Sequence, residues 1–261
     1  METVISKDGT CIAYDVYGQG KPVIMVGGTM NSRVFGPAPG AQLLGEDFAV
    51  YDYDRRGRGD SDDSQPYTPA KEVEDIAALV DVAGGHAALC GFSAGAALAM
   101  KAAIELGPGR ITKLAMYEGP YTSDPAVLKE WQDYGRLLHS AIKSGDTDQL
   151  VMVFMKLVHA EDQADTLRKD EATWQKLVKL TPTLMCDYKV IGSTKRIPKD
   201  RLAGVKVPAL VICGGNSGPE VAADTRYIAS LMPQAISEIV PGQSHSIEPA
   251  AIAPILRDFF A

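Results

Sequence analysis

The sequence predicts an α/β fold, a mostly parallel sheet with helices on both faces, and three observations predict it. Short apolar, β-branched runs bounded by glycine-rich turns recur along the chain, and continuous runs of this length suit strands buried on both faces. Stretches with helical spacing of apolar residues alternate with those runs. The alternation stops at Tyr121 and resumes near residue 207, so a helical segment interrupts the sheet.

The elements follow in order. Residues 10–17 (TCIAYDVY) read as a strand, as do residues 22–26 (PVIMV), set between GQGK and GGT, and residues 48–52 (FAVYD). Residues 70–82 place Val73, Ile76, Ala77, Leu79 and Val80 at helical spacing. Residues 86–90 (HAALC) are a short strand, and residues 94–106 an Ala-rich helix ended by Gly107-Pro108-Gly109. Residues 111–117 (ITKLAMY) return to strand. From 121 to 201 helical periods dominate, over 128–142, 150–159, 174–180 and a last one after Pro182, with Trp131, Met152, Phe154, Met155 and Trp174 clustered there. Residues 207–213 (VPALVIC) and 235–240 are strands, each followed by a helix, over 221–232 and 250–260. The expected division is a core of residues 1–120 and 202–261, with residues 121–201 as a helical insertion between two of its strands.

Composition narrows the function. A chain of 261 residues with 46% apolar and 23% charged residues is ordinary for one globular α/β unit. The net charge is −7, and the one basic cluster, Arg55, Arg56 and Arg58, is followed by Asp60, Asp62 and Asp63. No basic face for nucleic acid is expected. No apolar run approaches the roughly 18 residues of a membrane span, and the N-terminus carries charge at once, unlike a secretory leader. The four cysteines (Cys11, Cys90, Cys186, Cys213) are scattered, without CxxC or Cys/His metal spacing. Free buried thiols in a reducing cytoplasm are the expectation. No phosphate-cradling loop, metal cluster or flavin motif is visible, so neither cofactor nor metal is expected.

Gly91-Phe92-Ser93-Ala94-Gly95 fits G-x-S-x-G. Five residues with three fixed are a weak signal alone, but this one follows a strand and opens a helix. A tight strand–turn–helix strains the serine and lifts its oxygen clear of the sheet, while the flanking glycines avoid clashes. The helix N-terminus also favours a developing negative charge. The plain alternative is that Ser93 is only an N-cap. A histidine must take the serine proton. Of four, His86 begins the strand before the elbow, and His139 and His159 fall on insertion helices as packing or surface residues. His245, in Pro241-Gly242-Gln243-Ser244-His245, lies after the last strand, at the sheet's carboxyl edge with Ser93, where open α/β sheets place their ligands. His245 is the general base by elimination and position.

With these residues named, the chain resembles the α/β-hydrolase superfamily over essentially its whole length. The matching segments are the Gly-Gly-Thr at residues 27–29, DYDRRGRGDS at residues 52–61, GFSAG, MYEGP and GQSH. The resemblance implies an eight-stranded, mostly parallel sheet with a helical cap inserted after strand six. In most of that superfamily an Asp follows strand seven. Here that turn reads Gly214-Gly215-Asn216-Ser217-Gly218-Pro219, without a carboxylate, and Asn216 cannot carry the charge that steadies an imidazolium. Some members place the acid at the end of strand six, and the zearalenone-lactonase group is similar in having Glu-x-Pro there. Glu118 stands in that place, long enough to reach across from the neighbouring strand. The order Ser93, Glu118, His245 agrees with the Ser…Asp/Glu…His order of the fold. Glu220 and Asp224 remain alternatives, and Glu118 could instead cap a helix or bind an arginine. For the oxyanion hole the expected donors are the N–H of Ala94 and that of Gly28 or Thr29; many relatives have His-Gly where this chain has Gly-Gly.

The leading expectation is a serine hydrolase acting on an apolar ester or lactone through an acyl-enzyme, with Ser93 attacking, His245 relaying the proton and Glu118 orienting His245. Its activity should fall as His245 protonates. The Met and aromatic content of the insertion suggests the apolar substrate, although any single aromatic at helical spacing is more often core than pocket wall. The same site could serve C–C hydrolysis, perhydrolysis or lyase chemistry, because fold does not fix reaction. A non-catalytic small-ligand receptor is the third reading, supported only by the acid-free turn. The sequence leaves the oligomeric state open.

Overall fold

The computed structural model describes residues 1–36 and 38–261. Its strands are β1 (Glu2–Ile5), β2 (Cys11–Tyr17), β3 (Lys21–Val26), β4 (Phe48–Tyr53), β5 (Ala87–Phe92), β6 (Ile111–Tyr117), β7 (Ala209–Gly214) and β8 (Ala235–Val240). They form one sheet in the order β1-β2-β4-β3-β5-β6-β7-β8. β1 pairs antiparallel with β2, and β2 antiparallel with β4; every other pairing is parallel. The sequence pattern shows seven of these strands. The eighth, β1, reads only ETVI and is mostly exposed, because it is a short antiparallel edge strand of which only Val4 packs against the core.

Five helices flank the sheet: α1 (Ala41–Leu44), α2 (Pro69–Val82), α3 (Ala94–Leu106), α10 (Pro219–Ser230) and α11 (Pro249–Phe260). Successive strand side chains point to opposite faces and so build two separate cores. Ile24, Leu89, Leu114, Met116 and Val211 pack with Ile76 and Leu79 of α2, Leu98 of α3 and Ile228 of α10. Their neighbours Val23, Met25, Ala88, Cys90, Ala115, Leu210 and Ile212 pack with Leu44 of α1 and Ile252 and Leu256 of α11. Cys90 and Cys213 are buried as expected of strand thiols, but Cys11 and Cys186 are partly exposed. Cys11 begins β2 near the sheet edge, and Cys186 lies on a helix of the insertion, packed at the margin of the first of these cores.

Between β6 and β7 lie α4 (Pro125–Ser144), α5 (Thr147–Leu157), α6 (Ala164–Lys169), α7 (Glu171–Leu180), α8 (Leu184–Ile191) and α9 (Lys199–Leu202). They have a core of their own: Trp131, Tyr134 and Leu138 of α4, Val151 and Met155 of α5, Trp174 and Leu177 of α7, and Leu184. Trp131 stacks against both Tyr134 and Tyr188, with centroids 5.1 and 5.2 Å away, and the two tyrosine rings lie 6.3 Å from each other. Gly135 makes this possible, since a Cβ there would sit 2.4 Å from the Tyr188 hydroxyl oxygen. Both tryptophans spend their N–H inside the insertion, Trp131 on the Gly192 carbonyl at 2.9 Å and Trp174 on Asp148 at 2.9 Å. They are core residues. Met30, from the loop after β3, joins the same cluster and ties the insertion to the sheet edge. Among the described residues no helix is long and apolar enough to cross a membrane.

Candidate active site

Strand register brings the site together. β3 and β5 pair Val26 with Gly91, so two residues further on Gly28 comes beside Ser93. β5 and β6 pair Phe92 with Tyr117, which sets Glu118 next to Ser93 on its other side. β6 and β7 pair Tyr117 with Ile212, and the Glu118 N–H donates to the Ile212 carbonyl at 2.8 Å. β7 and β8 pair Gly214 with Val240, just ahead of the His245 loop. The strand order reverses between β3 and β5, the place where open α/β sheets open a crevice.

Ser93 occupies the strained turn expected of it, with φ 52° and ψ −121°. A non-glycine residue held there costs on the order of 1–3 kcal/mol and needs a rigid surround. The surround is close-packed backbone. A Cβ on Gly91 would lie 2.5 Å from the Gly95 carbonyl oxygen, and one on Gly95 would lie 2.1 Å from that of Val26. The Ser93 side chain forms no N-cap hydrogen bond, so capping does not explain the residue.

Glu118 also has a positive φ, 41°, and its side chain is 7% exposed. Its Oε2 lies 2.7 Å from His245 Nδ1, while Oε1 accepts the Gly214 N–H at 2.9 Å and the Ser217 hydroxyl. Burial pushes this carboxyl upward, but the His245, Ser217 and Gly214 donors outweigh it and hold it below its ordinary range. An ionised Glu118 keeps the proton of His245 on Nδ1 and leaves Nε2 as the free nitrogen. His245 is itself 61% exposed. Its loop is fixed from below: the Tyr117 hydroxyl donates to the Ser244 carbonyl at 2.5 Å, and the Asn216 N–H donates to that of Gln243 at 2.8 Å. Gly214 carries the loop directly, since a Cβ there would meet the Gln243 oxygen at 2.4 Å. Asn216 is therefore scaffold for the histidine loop. Ser93 and His245 form no hydrogen bond to each other among the described residues, a separation common before substrate binds.

Neither alternative to Glu118 bonds His245 among the described residues. Asp224 accepts from the Thr122 hydroxyl at 2.7 Å and from the N–H and hydroxyl of Ser123, at the start of the insertion. Glu220 is exposed on the first turn of α10. His86 is exposed, His139 bonds the Gly135 carbonyl of its own helix at 2.6 Å, and exposed His159 lies 3.8 Å from Glu130.

The loop after β3 brings Gly28 against Ser93: a Cβ on Gly28 would be 3.5 Å from that of Ser93. The N–H groups of Gly28, Thr29 and Ala94 make no hydrogen bonds among the described residues. Sequence reasoning missed what holds this loop from behind: Arg55 Nη1 donates to the Gly27 carbonyl at 3.4 Å and Arg58 Nη1 to that of Gly28 at 2.5 Å, while Arg56 stands apart from the loop. Arg55, Arg56 and Arg58 are all buried, although the sequence set them beside Asp60, Asp62 and Asp63. Their partners are distant in sequence: Glu72 and Asp187 for Arg55, Asp75 and Asp8 for Arg56, Asp187 for Arg58. The one local signal was three arginines on a glycine-rich turn. Ser217 was missed as a partner of Glu118 for the same reason.

A cavity of about 170 Å³ lies in the insertion, lined in part by Glu130, Asp133, Tyr134, Val153 and His159, and none of Ser93, Glu118 or His245 borders it.

Comparison with known proteins agrees with this fold. Residues 23–255 match the model of the alpha/beta hydrolase family. An alpha/beta hydrolase from Sphaerobacter thermophilus DSM 20745 is 37% identical, with a TM-score of 0.87 over 100% of both chains. A thermophilic esterase from Thermogutta terrifontis is 18% identical, with a TM-score of 0.72 over 99% of this chain and 97% of that one. The enol-lactonase of Burkholderia xenovorans LB400 is 22% identical, with a TM-score of 0.68 over 99% of both chains. The chain belongs to the alpha/beta hydrolase family.

Proposed function

We propose that the protein is a serine hydrolase that cleaves a carboxylic ester or lactone of an apolar small molecule through an acyl-enzyme. The observation that carries this reading is the 2.7 Å link from Glu118 to His245 Nδ1 at the sheet edge that holds the strained Ser93. His245 Nε2 takes the Ser93 proton as Oγ attacks the carbonyl. Glu118 fixes the tautomer and offsets the imidazolium that forms. The alkoxide or lactone oxygen leaves with that proton, and water, deprotonated by the same nitrogen, releases the acid. The N–H of Ala94 and one from Gly28 or Thr29 hold the developing oxyanion. Residues 121–201 act as the cap that walls the pocket. Esterase and enol-lactonase neighbours on this fold are compatible with the assignment.

The test is intact-mass analysis after exposure to a fluorophosphonate. A single adduct on the wild type, absent from Ser93→Ala, is the expected result. A folded wild type that takes no adduct and turns over no p-nitrophenyl ester or lactone refutes the reading.

A further inference from the structure

Arg58 is 2% exposed, yet its guanidinium reaches the loop beside the nucleophile. Nη1 donates to the Gly28 carbonyl at 2.5 Å, and Nη2 donates to Asp187 Oδ1 at 2.7 Å. The same Asp187 oxygen accepts Arg55 Nη1 at 2.7 Å, and Arg55 is gripped through its other nitrogens by both oxygens of Glu72 at 2.7 Å. Asp187 belongs to α8, inside the insertion. A continuous buried path thus runs from an insertion helix to the loop that flanks Ser93.

Such a path is a poor way to stabilise a fold. Buried ion pairs roughly break even against well-packed apolar residues. This one also leaves Arg58 Nε and Asp187 Oδ2 buried without hydrogen-bond partners among the described residues. What it does achieve is placement. The Gly28–Thr29 peptide is trans, so the Gly28 C=O and the Thr29 N–H lie in one plane and point opposite ways. A guanidinium on that carbonyl fixes the direction of the Thr29 N–H. It also polarises the peptide, which makes the N–H a stronger donor.

We propose that Arg58 is a positioning residue that aims and polarises the Thr29 N–H as the loop's oxyanion donor, with Asp187 of the insertion as its anchor. The inference rests on the acyl-enzyme reading above and deepens it. It selects Thr29 over Gly28, and it makes the oxyanion hole sensitive to how the insertion is seated.

The experiment compares wild type, Arg58→Gln, Arg58→Lys, Asp187→Asn and Arg56→Gln. Arg56 is the control: it is equally buried and bidentate to Asp75 at 2.6 and 2.7 Å, but it does not touch the loop. The readouts are kcat and KM for p-nitrophenyl butyrate, the Kd of phenylboronic acid, which forms a tetrahedral anion on the serine, and the folded fraction by circular dichroism. Losing one oxyanion donor costs about 100- to 1000-fold in kcat. A donor misaimed but not lost should cost part of that, roughly 10- to 100-fold for Arg58→Gln and less for Arg58→Lys and Asp187→Asn. KM should change little, and boronate affinity should fall in step with kcat. Arg56→Gln should lower thermal stability and leave kcat per folded molecule near the wild-type value. A folded Arg58→Gln with wild-type kcat and boronate affinity overturns the inference. So does a kcat loss that Arg56→Gln reproduces. If Arg58→Gln does not fold, the Arg58→Lys and Asp187→Asn pair decides by the same criterion. Failure of the acyl-enzyme reading is distinguishable, because the wild type itself would then show neither ester turnover nor a serine adduct.

Discussion

Replacing Glu118 by glutamine removes one charge and almost no volume. The consequence follows from how its two oxygens are used. Oε1 accepts the Gly214 backbone N–H at 2.9 Å, and Oε2 faces His245 Nδ1 at 2.7 Å. A backbone N–H cannot turn into an acceptor, so the single oxygen of a glutamine stays on Gly214. Its amide NH₂ then faces His245 and forces Nδ1 to accept. The imidazole proton moves to Nε2, the nitrogen that takes the Ser93 proton in the proposed reaction. A wrong tautomer of this kind costs about 10⁴-fold in kcat, or about 5 kcal/mol of transition-state stabilisation. Glu118→Ala removes more contacts but imposes no tautomer, so it should be no slower than Glu118→Gln, although it is the less stable protein. That order is opposite to the one packing alone would give. Phosphonylation rates by intact mass, beside thermal unfolding, measure both quantities. A Glu118→Gln protein within tenfold of wild type refutes the reasoning, as does a folded Glu118→Ala protein far slower than Glu118→Gln. The acid limb offers a check. The folded Glu118 carboxyl lies below its ordinary range, so its ionised form stabilises the fold above that range. That contribution is lost only as pH falls through the lowered value, and Glu118→Gln should lack this part of the acid-unfolding curve.

Two further predictions concern the sheet edge. In Gly95→Ala the new Cβ would lie 2.1 and 2.6 Å from the Val26 and Gly27 carbonyl oxygens, so α3 must move off β3. A loss of about 3 kcal/mol, the upper end for overpacking, should come with slowed serine labelling in the folded fraction; normal labelling and stability contradict the packing described. Asp52 is buried at the end of β4, and burial lifts its carboxyl to about 7 against an Ala38 N–H that lowers it. Between about pH 4 and 7 the folded chain keeps a proton that the unfolded chain has lost, so stability falls as pH rises through that window, by up to roughly 4 kcal/mol. Urea unfolding of Asp52→Asn at pH 5 and pH 8 should show a smaller loss than wild type; an equal loss would mean that Asp52 does not carry it.

The sequence made the elbow legible because strand, turn and helix are contiguous there, and His245 because it follows the last strand directly. Glu118 was reached only through the family resemblance, once the turn after β7 proved to lack a carboxylate, and Glu220 and Asp224 stayed open beside it. What stayed hidden was set by pairing across long separations. Nothing local to Arg58 points to Asp187, and nothing local to Ser217 points to Glu118. α1 escaped because four residues between Gly40 and Gly45 carry no measurable period. Met30 escaped for a different reason. It has a left-handed φ of 59° and belongs to the insertion's apolar cluster, which neither its residue type nor its glycine-rich neighbours announce.

The way Glu118 is held also limits how this site can drift. The turn after β7 contributes donors to the carboxylate on β6, from Gly214 and Ser217. A single Ser217→Asp change would press two carboxylates together, and one of them would keep a proton at neutral pH. Removing Glu118 first would leave the histidine with no anion at all. Moving the negative charge from one strand end to the next therefore passes, one substitution at a time, through an impaired protein. The two strand ends hold a reciprocal arrangement that changes in concert, and an engineer who wants to relocate the acid must rewrite both in the same step.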